Sequence, residues 1–90
     1  MVVHVQIDGL VQGVGFRWFA REAARRRRLS GWVRNREDGC VEVAASGPDG
    51  DVRAFLDEIR RGPAGARVRG VHDLPTDSLA DLPTPFSIVR

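Results

Sequence analysis

The stretch Asp8-Gly9-Leu10-Val11-Gln12-Gly13-Val14-Gly15-Phe16-Arg17 constrains this chain more than any other. Three glycines fall within seven positions, an alternating pattern leads in and a helical pattern leads out. Glycine reaches positive φ at no steric cost and lets neighbouring N–H groups converge. At a helix start those N–H groups lack intrahelical acceptors and the helix dipole is positive, so they make an anion site. Arg17, two residues after Gly15, adds a planar fork that matches phosphate oxygens. The residues read as a phosphate cradle formed by the amides of Val11, Gln12, Gly13, Val14, Gly15 and Phe16 with the Arg17 guanidinium. A glycine turn that serves geometry alone is the alternative.

Known phosphate loops do not fit. A Walker A loop requires a lysine, and the chain has none. A dinucleotide fingerprint would need a third glycine where Trp18 stands. A cysteine phosphatase would place an arginine six positions after Cys40, where the residue is Ser46.

Ninety residues make one domain, 1–90, with a single core. One cysteine excludes an internal disulfide and a cysteine-only zinc site, and His4 and His72 have no metal-ligand spacing. The first residues lack a signal-peptide pattern and no apolar run suits a membrane, so the expectation is a cytoplasmic protein with no membrane partner. The fourteen basic residues are all arginine and the net charge is only +2, which permits a nucleic-acid partner without demanding one.

Val2 to Asp8 alternates, with Val3, Val5 and Ile7 inward and His4 an ordinary residue on the open face. From Phe16 to about Arg28 the spacing predicts a helix whose stripe is Phe16, Phe19, Ala20, Ala23 and Ala24. The run Arg25–Arg28 reads as its solvated, dipole-matched end. Gly31 to Asn35 is a second strand, Arg36 to Gly39 a turn, and Cys40 to Ala45 a third strand with Val41, Val43 and Ala45 on one face. Cys40 reads as an idle thiol. Pro48 opens a second helix with the stripe Val52, Phe55, Leu56 and Ile59, which Gly62-Pro63 ends. Arg67 to Asp73 is a fourth strand. Leu74 to Pro85 is a connection held over the sheet edge by Leu74, Leu79 and Leu82, and Phe86 to Arg90 is a final strand.

This order predicts an α+β, ferredoxin-like split β-α-β sandwich. It has a four- to five-stranded, mainly antiparallel sheet with two helices on one face. The first and second strands then run parallel with the third between them. The cradle after strand one and Asn35 at the end of strand two meet at one edge, where ligands sit in such folds.

The constellation of loop amides, Arg17 and Asn35 lacks a strong general acid, a metal site and a nucleophilic cysteine. It therefore suits a leaving group that is stable as an anion. A mixed carboxylic–phosphoric anhydride has one, and catalysis becomes positioning plus charge stabilisation. The Asn35 amide can both accept from and donate to a water.

Gly9-Leu10-Val11-Gln12-Gly13-Val14-Gly15-Phe16-Arg17 resembles the first signature of the acylphosphatase family, and Gly31-Trp32-Val33-Arg34-Asn35 the second. The resemblance spans essentially the whole chain. It implies a hydrolase that splits acyl phosphates into carboxylate and inorganic phosphate without cofactor or metal, and a monomer is the expectation. Catalytic Arg17 and the loop amides would hold the phosphate, and catalytic Asn35 would position the water. The departing carboxylate would help take the water's proton. A domain of a larger, carbamoyl phosphate-related maturation enzyme also resembles this sequence, and the chain's end at Arg90 points to the free-standing form. Two other readings are an idle anion-binding module and an RNA-binding module of the same strand order. RNA-recognition sheets stack bases on aromatic residues, and the third strand here has none, so no nucleic-acid partner is expected.

Overall fold

Val5 and Ile7 are fully buried while His4 and Gln6, which alternate with them, are only partly so, which seats β1 (Val2–Leu10) with one face on the core. In a computed structural model that describes residues 1–90, β1 is followed by α1 (Phe16–Arg26), β2 (Ser30–Asn35), β3 (Val41–Ser46), α2 (Asp49–Arg61), β4 (Arg67–Asp73) and β5 (Ser87–Ile88). The sheet order is β4-β1-β3-β2-β5. β3 lies antiparallel between β1 and β2, pairing Val43 with Val5 on one side and Val33 on the other. β4 pairs antiparallel to β1, and β5 parallel to β2. The α+β split β-α-β arrangement is present, with five strands and one parallel pair.

The expected stripes meet in one cluster. Phe16, Ala20, Ala23 and Ala24 of α1 and Val52, Phe55 and Ile59 of α2 join Val5, Ile7, Val33, Val41, Val43 and Ala45 of the sheet. Both helices therefore cover the same face. Phe19 and Leu56, at the margins of the stripes, are partly buried.

Several boundaries differ from the sequence expectation. β1 continues to Leu10, with an irregularity between Asp8 and Gly9 where the register against β4 shifts. Gly9 has φ +128°, and a Cβ there would run into the Arg67 carbonyl, so glycine permits the strand to stay paired. α1 ends at Arg26 instead of Arg28. Arg28 takes φ +56° and the Leu29 N–H returns to the Ala24 carbonyl, which closes the helix. β3 begins at Val41 because Cys40 is held in the preceding turn, its N–H donating to Asp38 Oδ1 at 3.0 Å. Only Ser87 and Ile88 of the last segment pair as a strand.

The Arg25–Arg28 run is more than a solvated helix end. Arg25 Nε donates to the Phe86 carbonyl at 2.9 Å, and Arg26 and Arg27 both reach Glu58 of α2, at 2.9 and 3.1 Å. The run ties α1 to α2 and to the C-terminal segment.

The connection after β4 crosses from one edge of the sheet to the other. Its Leu74 N–H bonds the His4 carbonyl, the Pro83 carbonyl accepts from Gly31 N–H, and Ser30 and Thr84 share a hydroxyl hydrogen bond. Leu74, Leu79 and Leu82 are each half-buried. These contacts lie at the starts of β1 and β2, which leaves the opposite end, where β1 and β2 finish, free for a site.

Candidate active site

The loop from Val11 to Gly15 turns through two left-handed glycines, Gly13 at φ +75° and Gly15 at φ +77°, with no atom near the place a Cβ would occupy at either. Open space on those sides leaves the backbone approachable. Gly15 caps α1 without a side chain, and the first turn of α1 contains no acidic residue. The first turn of α2, by contrast, carries Asp49 and Asp51. One helix start is matched by its own carboxylates and the other is not.

None of the amides from Gln12 to Trp18 donates a hydrogen bond to another backbone group. Backbone donors of a folded protein are nearly always paired with protein or water, so seven consecutive unpaired amides constitute an anion-ready surface. A cavity of about 250 Å³ opens there, lined by Gly13, Gly15, Phe16 and Arg17 with Val11, Trp18 and Ile88. Arg17 is exposed and makes no ion pair, so its fork is available. Val11 and Phe16 are buried at 1% exposure and anchor both ends of the loop in the core.

Gln12 has a further part. Its Nε2 donates to the carbonyls of Arg36 (2.8 Å) and Cys40 (2.9 Å), so the side chain pins the cradle loop to the turn that follows β2. That turn is tight: Arg36 N–H bonds the Cys40 carbonyl at 2.8 Å, and Gly39 sits at φ +93°. Asn35 stands immediately before it. Its Oδ1 is buried and has no hydrogen-bond partner, which is uncommon for a side-chain oxygen. Asn35 does not line the cavity of Arg17. It lines a second, polar cleft of about 480 Å³ with Arg34, Arg36, Glu37, Asp38, Glu42 and Arg90. The strand topology and the Gln12 bonds bring the two regions to one end of the sheet.

The open face beside Asn35 holds a network that sequence reading missed. Glu42 of β3 is only 4% exposed. It accepts from His4 Nε2 at 2.5 Å, from Arg34 Nη2 at 2.8 Å and from Arg36 Nη1 at 3.4 Å. Burial pushes the Glu42 carboxyl up, but the hydrogen bonds from His4 and Arg34 and the Arg34 charge outweigh it and hold it below the usual range. His4 Nδ1 faces the Pro75 carbonyl at 2.8 Å, so both ring nitrogens sit against an oxygen. Trp32 packs edge-on to His4 and beneath the Arg34 guanidinium, which lies 5.2 Å from the ring centre. His4 is thus a structural link, not merely an open-face residue.

Cys40 accepts from Gln6 Nε2 at 3.3 Å, and burial followed by the Asp38 carboxylate pushes its thiol up, away from the reactive thiolate. No three His, Cys, Asp or Glu side chains converge as a metal site, and no helix is long and apolar enough to cross a membrane.

Fold and site together define a small ferredoxin-like α+β domain with a glycine loop of unpaired amides at the carboxyl ends of two like-directed strands. A family model described as acylphosphatase matches residues 3–88. A Rhizobium etli protein described as an acylphosphatase is 45% identical over 86 residues, covering 96% of this chain and 90% of its own. The crystal structure of an acylphosphatase from Bacillus subtilis superimposes with a TM-score of 0.90 at 38% identity, covering all of both chains. The crystal structure of full-length HypF, in its phosphate- and nucleotide-bound form, matches all of this chain with 12% of its own length, at 28% identity and a TM-score of 0.71. The chain belongs to the acylphosphatase family, enzymes whose shared reaction is the hydrolysis of acyl phosphates.

Proposed function

We propose that this chain hydrolyses acyl phosphates to a carboxylate and inorganic phosphate by holding the phosphate in the loop amides and on Arg17, while Asn35 orients the attacking water. The observation that carries the reading is the run of unpaired amides from Gln12 to Trp18 beside an unpaired Arg17. These donors are fixed before substrate arrives, so the charge that builds on the phosphoryl oxygens meets groups that need not reorganise. Asn35 lines the adjoining polar cleft, and its carboxamide can both accept from and donate to a water there; Oδ1 is buried without a partner, so the amide turns its oxygen outward to accept the water's hydrogen. Water attacks phosphorus, the P–O bond to the acyl oxygen breaks, and the electron pair leaves on a carboxylate. That carboxylate helps take the water's proton. The residues around the cradle include no carboxyl, imidazole or thiol group, which suits a leaving group that requires no proton from the protein.

The protein acts alone in this reading, as a monomer on a small acyl phosphate, without metal, cofactor or nucleic acid. Trp32 is taken up by His4 and Arg34, which argues against a base-stacking role. Arg17→Ala is the test. The variant is expected to lose both inorganic phosphate binding and hydrolysis of benzoyl phosphate. Near-normal hydrolysis in a folded Arg17→Ala protein refutes the assignment. Phosphate binding by a wild type that hydrolyses nothing would leave an anion-binding module.

A further inference from the structure

The cavity of the cradle has one wall that phosphate does not explain. Trp18, directly after Arg17 in the first turn of α1, is 59% exposed, and Ile88 of β5 is 37% exposed. Both line the same cavity as Gly13, Gly15 and Arg17. Trp18 is outside the hydrophobic core, and its ring has no aromatic or cationic partner. A single exposed apolar side chain is ordinary, but two on the wall of one cavity beside a polar site make a shared apolar surface. β5 pairs with β2 through Val33 and Ile88, which fixes the position of the Ile88 side of the wall.

We propose that Trp18 and Ile88 form the acyl-group subsite and that it takes a flat, apolar acyl group, a single aromatic ring, in preference to a small or charged one. The inference rests on the acyl phosphate reading above. With the phosphate on the loop amides and Arg17, the bridging oxygen and carbonyl carbon place the remainder of the substrate within a few bonds of the cradle. Trp18 lines the same cavity as the cradle, and aromatic pairs gain beyond the area they bury. The cavity of about 250 Å³ falls just below the range of about 300–1,000 Å³ that suits drug-sized ligands, so one ring fits better than an extended acyl chain. The polar cleft that Asn35 lines, where arginines and carboxylates are largely paired with one another, is the competing location, and it would instead favour a polar acyl group over an apolar ring.

The test compares benzoyl phosphate, acetyl phosphate and succinyl phosphate as substrates for wild type, Trp18→Ala and Trp18→Phe. Each variant's kcat/KM is divided by the wild-type value for the same substrate, which removes their different intrinsic reactivities. The benzoyl-to-acetyl ratio is expected to fall about tenfold in Trp18→Ala, with the loss in KM, and to recover to within about threefold of wild type in Trp18→Phe. Equal losses on benzoyl and acetyl phosphate would overturn the subsite while leaving the hydrolase reading intact. A wild-type kcat/KM markedly higher for succinyl than for benzoyl phosphate, each divided by the uncatalysed hydrolysis rate of the same compound, would move the acyl group to the polar cleft. Absence of turnover with all three substrates would overturn the hydrolase reading and the subsite with it.

Discussion

Glu42→Gln removes one charge and keeps the shape of a side chain that three strands share. Glu42 is 4% exposed and takes hydrogen bonds from His4, Arg34 and Arg36. Breaking a fully buried ion pair costs about 3–5 kcal/mol. Arg34 and Arg36 are 42% and 34% exposed, so water recovers part of what they lose. His4, at 11%, has less access to water. The balance is a loss of about 2 kcal/mol, between the buried and the surface extremes. For a domain of this size that lowers Tm by about 8–16 °C. The carboxyl of Glu42 is held below its ordinary value of 4.5 in the folded protein. Its contribution is therefore complete above that value and is lost as pH falls through the lower, folded value. Thermal unfolding followed by circular dichroism from pH 7 down to pH 3 should show a wide gap between wild type and variant at neutral pH that narrows on acidification. A gap under 1 °C at pH 7, or one that does not change with pH, would refute the reasoning.

Gln12→Ala deletes both bonds from the cradle loop to the turn after Asn35. It should cost about 1–3 kcal/mol in chemical denaturation and lower kcat more than it weakens inhibition by inorganic phosphate. Gly15→Ala meets no atom but must hold φ +77°, so a loss of about 1–2 kcal/mol is expected, whereas Gly9→Ala drives a Cβ into the Arg67 carbonyl and should cost well beyond that. Comparable denaturation midpoints for the two alanine variants would show that the close approach of β4 at Gly9 is unimportant.

Much of this fold was legible because it depends on local period. Val5 and Ile7 alternate, Phe16, Ala20, Ala23 and Ala24 recur at helical spacing, and both patterns ended in one core. The turn of the loop was legible because glycine at 13 and 15 has few uses other than the left-handed turn it adopts. Glu42 was not. In sequence it alternates with Val41 and Val43 and reads as an outward strand residue, yet it is buried by His4, 38 positions earlier, and by Arg34 and Arg36 across the turn. Local pattern says nothing about which distant side chains will cover an open face. The same reason hid the Gln12 bonds, the pairing of Arg26 and Arg27 with Glu58, and the apolar wall that Ile88 completes from the far end of the chain.

The division of labour between cradle and Asn35 is the central claim, and one paired measurement addresses it. Turnover of benzoyl phosphate and inhibition by inorganic phosphate are measured for Asn35→Ala beside wild type. The account predicts that kcat falls by about 100-fold or more, while the phosphate inhibition constant stays within about twofold of wild type. Turnover near the wild-type rate, or phosphate affinity lost in step with it, would contradict the account.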